Sequence, residues 1–538
     1  MEKKEWIESG KCAIGIEFGS TRIKTVLTAA DGSVIAQGSH TWESHLIDGI
    51  WTYGMDEIIG GLQNSYRDMT GEVKNKFDVS LKKVSAIGIS AMMHGYLPFD
   101  AQGNLLTGFR TWQNTMTGQA AAELSELLSF NIPQRWSIAH LYQAHLNGES
   151  HVKDIAFLTT LAGFIHWKLT GEKVLGIGDA SGMFPIDSVS RNYDKRMLEL
   201  FEEKIAPAGY PWTLSGILPK VLCAGDAAGR LTEEGARLLD PSGDLEAGVL
   251  LCPPEGDAGT GMTATNSVAV RTGNVSAGTS VFAMVVLEKM TEKVHEEIDM
   301  VTTPVGDPVA MVHCNNCTSE INAWAGFLKG FLEEAGAAAD MNMVYRAIFE
   351  GALKGAPDCG GLMGCNYIAG EPVTGFAQGR PMVLRKPDAE FSFVNFVRMQ
   401  LMSAVATLKL GMDILTKEEH VPIDKMFGHG GYFKTPVTGQ KIMAAALGAP
   451  VSVMKTAGEG GSWGIAVLAL YAAFREGILS YDGLAKDASL PMYLEDVIMK
   501  GQEGSTIEPD TEDVKGFTTF IENYQKMLQV EKAAAECF

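Results

Sequence analysis

Two short segments of glycine and hydroxyl-bearing residues are the parts of this sequence best suited to chemistry. The first, Gly19-Ser20-Thr21 in CAIGIEFGSTRIKTVL, follows a predicted strand at 13–18 that carries one carboxylate, Glu17. A second predicted strand makes the segment a hairpin tip, where glycine permits a positive φ and N–H groups and hydroxyls face one side. Such donors suit a phosphate, and a nearby carboxylate suits the magnesium ion that accompanies phosphate. The alternative is an ordinary hairpin at the start of a domain.

The same pattern recurs about 260 residues later, at Gly278-Thr279-Ser280. Strands are predicted before this tip at 267–272 and 275–277, and after it at 281–287. A supersecondary unit that recurs at domain-sized spacing indicates duplication of a domain. Because two such hairpins can hold a polyphosphate from both sides, the recurrence favours phosphate binding over an ordinary hairpin.

A third glycine-rich segment, residues 428–431 (GHGG), lies between a predicted strand and a predicted helix at 435–447. Glycine at this place lets a flat ligand approach the main chain, and a helix N-terminus favours phosphate. A strand at 451–454 and the glycines of 458–461 precede a closing helix at 464–474. The chain has no GxxxxGK[ST] motif, so this is not a Walker-type nucleotide site.

Hydrophobic patterns predict the elements that position these segments. The further predictions are strands at 23–29, 34–38 and 84–90, a turn at 100–103, helical regions at 118–169 and 393–415, and a solvated linker before a C-terminal amphipathic helix.

Length and composition describe a globular protein with two domains of ordinary size, or two and an appendage. The 538 residues are 46% hydrophobic and 20% charged, and 44 basic against 65 acidic residues give a net charge of −21. This charge argues against nucleic acid or an anionic membrane as a main partner. Since we find neither a signal peptide nor an apolar run of membrane-spanning length, we expect a cytoplasmic protein.

The eight cysteines are scattered and mostly flanked by apolar residues, as in reduced cytosolic proteins. Cys314 and Cys317 in HCNNCTSE have the spacing of metal ligands, but Cys359 and Cys365 lack the spacing of a zinc ribbon. We therefore predict no metal site at these cysteines.

In their order along the chain, these segments resemble the FGGY family of carbohydrate kinases, of the sugar kinase, heat-shock chaperone and actin ATPase superfamily. The resemblance covers about residues 12–474 and is nearest to the pentulose (xylulose- and ribulose-type) kinases. GIEFGSTRIK is similar to the first phosphate motif of the family, VSAGTSVF to the second, and FGHGGYFKTPVTGQKIMAAALGAPV to the adenosine motif. LTGEKVLGIGDASGMFPID resembles a mid-domain segment, and YIAGEP resembles the Gly-Glu-Arg-Thr-Pro region.

The resemblance implies an α/β fold of two actin-like (ribonuclease H-like) domains, each with a mixed five-stranded sheet flanked by helices, and a cleft between them. Residues 11–258 would form the N-terminal domain with the sugar site and the first phosphate loop. Residues 259–485 would form the C-terminal domain with the second phosphate loop and the adenosine site. Residues 486–538 would be a tail with a C-terminal helix, and a homodimer is possible.

The resemblance also implies an activity, namely transfer of the γ-phosphoryl group of Mg-ATP to a hydroxyl of a small sugar. Asp257 in PPEGDAGTG falls where the family keeps its catalytic base. Glu17 and Asp257 would face Mg²⁺ through water. The residues expected to bind ATP are Gly19, Ser20, Thr21, Lys24, Gly278, Thr279, Ser280, Gly430 and Gly431. The residues expected to bind the sugar are His94, Trp112, Gln113 and Asp257, with Asn114 beside them.

Several positions depart from the family pattern. Glu17 replaces the usual aspartate, Met92 replaces a glutamine of the pentulose kinases, and Ala258 replaces an asparagine. The Trp-Asn-Asp of xylulose kinases becomes Trp112-Gln113-Asn114. Because these changes remove groups that discriminate between sugars, the substrate is not simply D-xylulose. Ketopentoses such as xylulose and ribulose, deoxyketoses, polyols, sugar acids and sugar-like signalling molecules stay open.

Two other functions compete with the kinase. A superfamily ATPase with a conformational output, such as a reductase activator, is suggested only by Cys314 and Cys317. A sugar-binding relative without turnover is suggested by the altered pocket and by Glu17. The presence of Asp257 and of both hydroxyl-bearing tips favours the kinase. Asp179, in GDASG, is expected to be a structural residue in a hydrogen-bonded turn.

Overall fold

The computed structural model describes residues 3–454 and 460–537, and it divides into two compact units. The first unit contains residues 3–268, 300–309 and 460–501, and the second contains 269–299, 310–454 and 502–537. The predicted domains are continuous segments, whereas the first unit also includes residues from far along the chain. Gly458, part of the predicted glycine segment 458–461, lies outside the described residues.

The first unit is built on a mixed sheet with five strand positions. Its strands lie in the order Leu250–Leu251, Ala86–Ala91, Cys12–Phe18, Arg22–Ala29 and Val34–Thr41. Glu255–Gly256 also pairs with Ala86–Ala91, so the edge position is one interrupted strand. The first three positions run parallel, and the hairpin at 12–29 and its successor are antiparallel.

Side chains along the strand Cys12–Phe18 point alternately to the two faces of the sheet, and each face packs against a different helix. Ile14 and Ile16 point into a core that the helix Met55–Phe77 covers. Gly15 and Glu17 face the other side, where the helix Gly460–Glu476 packs so closely that a Cβ at Gly15 would overlap its backbone. This contact explains why a helix from the C-terminal part of the chain belongs to the first unit.

The remaining elements of the first unit surround this sheet. The other helices are Lys3–Ser9, Gly118–Leu128, Ser137–Leu146, Leu161–Thr170, Ile177–Ala180, Lys195–Ile205, Leu214–Ile217, Glu233–Leu239, Asp257–Ala264 and Leu490–Tyr493. Four small two-stranded sheets pair His45–Ile47 with Ile50–Thr52, Leu97–Phe99 with Phe157–Thr159, Val174–Gly176 with Lys220–Leu222, and Ile186–Asp187 with Asn192–Tyr193.

The second unit repeats the arrangement and extends it to seven strands. The order is Ile298–Thr302, Pro308–Cys314, Val281–Val286, Thr272–Ala277, Lys425–His429, Val451–Met454 and Gly504–Ile507. The hairpin at 272–286 is antiparallel and Lys425–His429 runs parallel to its first strand, as in the first sheet. The five central positions therefore match the duplication that the sequence predicts. The expected five strands are too few here, because one strand is added at each edge.

Helices pack around this second sheet and include the C-terminal helix. They are Ser319–Glu334, Met341–Ala352, Phe393–Asp413, Thr438–Leu447 and Thr511–Cys537, and a further strand pair joins Leu362–Cys365 to Met382–Arg385. The guanidinium of Arg398 donates to buried Asp513 over 2.6 Å, and Lys441 lies 3.1 Å from the same carboxylate. The predicted C-terminal helix is thus fixed to two other helices of the second unit.

Two local predictions, at 267–277 and at Asp179, differ from the structure. The strands expected at 267–272 and 275–277 are a single strand, Thr272–Ala277, because residues 267–271 are irregular and end in a bend and a turn. The predicted helical region 118–169 includes three α-helices, which are separated at segments that contain proline and glycine. Asp179 lies in a short helix instead of a turn. Within the described part of the chain, no helix has the length and apolarity needed to cross a bilayer.

Candidate active site

Asp257 is held at the start of a helix by its neighbours in the first unit. It is the first residue of the helix Asp257–Ala264, directly after the edge strand, and its Oδ1 accepts the backbone N–H of Met93 over 3.1 Å. Solvent reaches the side chain, but the surrounding protein displaces bulk water and so raises its pKa, while the N–H groups of Met93 and Ala258 and the charge of Arg135 oppose this shift. The carboxylate is therefore fixed, accessible and more basic than an ordinary aspartate.

Glu17 lies at the N-terminus of the helix Gly460–Glu476. Its Oε2 accepts the backbone N–H of Ser462 over 3.0 Å, and a Cβ at Gly461 would overlap its Oε1. Lys24 is its partner across the hairpin. The extra methylene relative to the family's aspartate thus takes the carboxylate to an N–H group of a helix terminus, where a negative charge is favourable.

Glu17 and Asp257 lie close enough to influence each other's charge. Burial and the charge of Asp257 raise the pKa of Glu17, whereas Lys24 and the Ser462 N–H lower it. A divalent cation would relieve this repulsion, so the pair fits Mg²⁺. Among the described residues, no group of three or more His, Cys, Asp or Glu side chains could hold a metal ion. Such sparse protein ligation is usual for Mg²⁺, which keeps waters and binds substrate phosphates.

The first hairpin tip has its carbonyl groups turned inward. The indole of Trp42 donates to the Gly19 carbonyl over 2.7 Å, and the hydroxyl of Tyr53 donates to the Ser20 carbonyl over 2.7 Å. The two aromatic rings stack 4.1 Å apart, which fixes both donors. The Gly19 N–H donates to the Arg22 carbonyl over 3.1 Å. Carbonyl oxygens would repel phosphate, so the engagement of these two carbonyls leaves the N–H groups of Ser20 and Thr21 and their hydroxyls for an anion.

The carbonyl groups of the second tip are also hydrogen-bonded to neighbouring residues. The Gly278 carbonyl accepts the Thr318 N–H over 3.0 Å and the Thr318 hydroxyl over 2.7 Å, and the Thr279 carbonyl accepts the Cys317 N–H over 2.9 Å. Thr279 is exposed at the end of the hairpin. In both units, therefore, the first two carbonyls of the tip are bonded away from its donor side.

The glycines predicted to flank adenosine lie next to the second tip. Gly430 has φ 100°, and a Cβ there would overlap the carbonyl of Ala277, the residue before the tip. Gly431 has open space around its Cα, and both glycines are exposed. Only glycine fits at 430, and the second unit thus presents a bare stretch of main chain beside its hairpin tip.

His94 donates a hydrogen bond to a backbone carbonyl and leaves its other ring nitrogen as an acceptor. Its ring stacks on Trp136 with centroids 6.3 Å apart, and Nδ1 lies 3.2 Å from the Gly182 carbonyl. Burial, and next the charge of Arg135, lower the pKa of His94 well below its usual value, so the ring is neutral. Because a carbonyl can only accept, Nδ1 carries the proton and Nε2 has a free lone pair. His94 follows Met93, whose N–H binds Asp257, so the structure places the two near each other.

The segment Trp112-Gln113-Asn114 is divided in its exposure. Trp112 is 40% exposed and available to a ligand, while Oε1 of Gln113 is buried without a partner among the described residues. The amide of Asn114 is occupied, because it accepts the Trp51 N–H over 2.9 Å and donates to the Trp51 carbonyl over 2.8 Å. The Asn114 amide therefore holds the backbone of Trp51.

Three charged residues near Asp257 were not predicted as functional. Arg135 lies close enough to lower the pKa values of both Asp257 and His94. Asp179 and Glu255 are each 1% exposed, and burial raises the pKa of Asp179 to about 7 and that of Glu255 to about 8, with each helped by a neighbouring carboxylate. The GDASG and PPEGD segments signal these two acids in the sequence, but no local pattern signals Arg135.

Comparison with curated proteins finds xylulose kinases. The chain is 22% identical to the xylulose kinase of Haemophilus influenzae over 428 residues, which are 75% of this chain and 81% of that protein. Solved structures of similar fold include a xylulose kinase from Brucella ovis, with 17% identity, a TM-score of 0.76 and coverage of 97% of this chain and 100% of that one. A gluconate kinase from Lactobacillus acidophilus has 16% identity, a TM-score of 0.76 and coverage of 98% and 99%.

The chain therefore combines a duplicated α/β sheet with a hydroxyl-bearing hairpin tip in each unit and a carboxylate at a strand end, in the fold of the solved carbohydrate kinases. The chain belongs to the FGGY family of carbohydrate kinases, since residues 12–241 match the N-terminal domain of the family and residues 273–473 match its C-terminal domain. It is a sugar phosphotransferase. Sugar kinases of this family use ATP as the phosphoryl donor.

Proposed function

We propose that this protein transfers the γ-phosphoryl group of Mg-ATP to a hydroxyl of a small ketose or polyol, with Asp257 as the general base. The observation that carries this proposal is the placement of Asp257, whose Oδ1 is held by Met93 N–H beside a neutral His94. A carboxylate with a raised pKa, fixed at a helix start, suits a proton that leaves the sugar hydroxyl late in the transfer.

His94 supports a substrate that carries hydroxyl groups. Its Nδ1–H is used by the Gly182 carbonyl, so its Nε2 accepts a hydrogen bond and a sugar hydroxyl supplies one. A xylulose- or ribulose-type ketopentose, or a related ketose or polyol, offers several such donors. Trp112, exposed and aromatic, offers a flat apolar face to the same kind of ligand.

The nucleotide is proposed to bind through the two tips. In the first unit, Ser20 and Thr21 offer N–H groups and hydroxyls to phosphate oxygens, and Lys24 offers a positive charge. Gly19 adds no side chain that would block phosphate. In the second unit, Thr279 and Ser280 offer N–H groups and hydroxyls, Gly278 adds no side chain that would block phosphate, and Gly430 and Gly431 present bare main chain to adenosine. Glu17 and Asp257 would hold Mg²⁺ through water, and the ion would neutralise phosphate charge when bound. A homodimer and a cytoplasmic location remain predictions.

The test is ADP release with Mg-ATP across a panel of ketoses, polyols and sugar acids, with the phosphorylated product identified by mass. Turnover that depends on one sugar, with a matching phosphosugar, is the expected result. ADP release that is the same with and without every sugar would contradict the proposal and favour an ATPase with a conformational output.

A further inference from the structure

Glu255 is a buried acid whose side chain packs against the backbone of residues 176–179. It is 1% exposed, and it accepts the backbone N–H groups of Gly178 over 3.3 Å and of Asp179 over 3.0 Å. A Cβ at Gly178 would lie 2.5 Å from its Oε2, and a Cβ at Gly176 would overlap its Oε1. The segment 176–179 therefore accommodates this side chain only because two of its residues are glycines.

The segment that Glu255 holds continues to His94. The short helix Ile177–Ala180 carries both N–H donors, and two residues after it the Gly182 carbonyl accepts the His94 Nδ1–H. A Cβ at Gly182 would lie 2.6 Å from that nitrogen, so the two groups are in close contact. Any shift of this helix would move the carbonyl that fixes the His94 ring.

Glu255 also belongs to the backbone that ends at Asp257. Glu255 and Gly256 pair in parallel with Ser90 and Ala91, and Asp257 follows directly. One buried side chain thus joins the strand end that carries the proposed base to the helix that orients the proposed sugar contact. A buried acid is costly unless its oxygens are hydrogen-bonded, and here the backbone N–H groups of Gly178, Asp179 and Gly256 supply those bonds.

We propose that Glu255 is a positioning residue for sugar phosphorylation, which fixes His94 relative to Asp257 by clamping the amides of Gly178 and Asp179. This inference rests on the proposed roles of Asp257 and His94. Loss of the clamp moves the sugar contact relative to the base, and a displacement of about 1 Å at a reacting centre can cost about a hundredfold in rate. ATP binding, which involves other residues, does not depend on Glu255.

Two variants disturb the clamp by different means. Glu255→Gln keeps the size of the side chain but points an NH₂ group at one of the two N–H donors, so at most one hydrogen bond survives. Gly178→Ala keeps Glu255 and displaces its carboxylate with a methyl group. The matched control is Gly261→Ala in the helix Asp257–Ala264, because no atom lies within 4 Å of a Cβ at that position.

The first measurement is the ¹⁵N spectrum of the His94 ring, assigned by comparison with a His94 variant and recorded without ligand. Wild type and Gly261→Ala should show a neutral ring protonated at Nδ1, and both clamp variants should shift or average these signals. The second is steady-state kinetics with the sugar found by the panel. The kcat/KM for sugar should fall at least about tenfold while the KM for ATP stays within about twofold.

The possible outcomes separate this inference from the proposed function. Clamp variants that fold, keep the wild-type His94 spectrum and keep the wild-type kcat/KM for sugar overturn it. Failure of both variants to fold would assign Glu255 to core stability and would also overturn it. If wild type phosphorylates no sugar, the proposed function fails, but the His94 spectra still decide whether Glu255 positions the ring.

Discussion

The carboxylate of Glu17 accepts the backbone N–H of Ser462 over 3.0 Å, at the first turn of the helix Gly460–Glu476. The two residues are far apart in sequence, and strand alternation brings Glu17 to the face of the sheet that this helix covers. Glu17 therefore has two candidate roles. It caps the helix through the Ser462 N–H, and it lies close enough to Asp257 to share a Mg²⁺ ion with it.

Two substitutions at Glu17 distinguish helix capping from Mg²⁺ binding. Glu17→Gln keeps an acceptor for the Ser462 N–H but removes the charge, and Glu17→Asp keeps the charge but shortens the reach. If Glu17 serves Mg²⁺, the glutamine variant should need about tenfold more Mg²⁺ for half-maximal ADP release, and the aspartate variant should need little more. The measurement is a Mg²⁺ titration at saturating ATP.

Thermal unfolding provides the control for these variants. The aspartate variant should lose the helix-terminal hydrogen bond and melt earlier, whereas the glutamine variant should not. A normal Mg²⁺ requirement for Glu17→Gln would show that Glu17 only caps the helix.

The hydrogen bonds to the carbonyl groups of the two tips should affect the KM for ATP and leave the KM for sugar unchanged. Tyr53→Phe removes the hydroxyl that holds the Ser20 carbonyl, and Thr318→Val removes the one that holds the Gly278 carbonyl. Loss of one hydrogen bond, worth about 1 kcal/mol, should raise the KM for ATP about fivefold. Unchanged ATP kinetics in both variants would contradict the role given to these carbonyls.

Gly182 should be intolerant of a side chain. A methyl group there would lie 2.6 Å from Nδ1 of His94, so Gly182→Ala should push the ring aside. We expect the KM for sugar to rise about tenfold or more, with the KM for ATP unchanged. Gly209→Ala is the control, because a Cβ at that position has no neighbour within 4 Å. Its φ of 64° makes a small loss of stability expected there. A sugar KM that does not respond to Gly182→Ala would remove His94 from the substrate site.

Asp179 should make stability depend on pH. Burial raises its pKa to about 7 in the folded protein, against 3.8 for an ordinary aspartate, so the folded state binds this proton more tightly than the unfolded state. Its stabilising effect is present below the unfolded pKa and is lost as pH rises through about 7, at up to about 1.4 kcal/mol per pH unit. The neutral variant Asp179→Asn lacks this dependence.

Urea unfolding at pH 5 and pH 8 checks this prediction for Asp179. Wild type should lose more stability than Asp179→Asn between the two pH values. A difference between the two proteins that stays constant with pH would mean that Asp179 is already ionised at pH 5 in the folded state.

The sequence predicts much of the fold because its signals are local. Apolar strands on both sides of Gly19 and of Gly278 gave both hairpins, and the glycines of 428–431 marked the segment beside the second tip. The contacts that orient the candidate site are not local. Ser462 reaches Glu17, and Glu255 reaches Gly178, across long stretches of chain, so only the folded structure reveals them.

The sequence was less informative where one residue type serves two roles. Asn114 resembles a sugar ligand, but its amide is used by Trp51, and no pattern in the sequence distinguishes the two uses. Arg135 follows no motif, and only its proximity to Asp257 and His94 in the structure makes it notable.

The most direct test of the central claim compares wild type with Asp257→Asn on the sugar that the panel identifies. Phosphosugar formation is followed by ³¹P NMR, and ATP binding is measured separately by calorimetry. Asparagine preserves the shape of the side chain and cannot accept the hydroxyl proton, so the rate should fall by at least about a hundredfold with ATP affinity retained. Phosphosugar formation by Asp257→Asn at the wild-type rate would contradict the account.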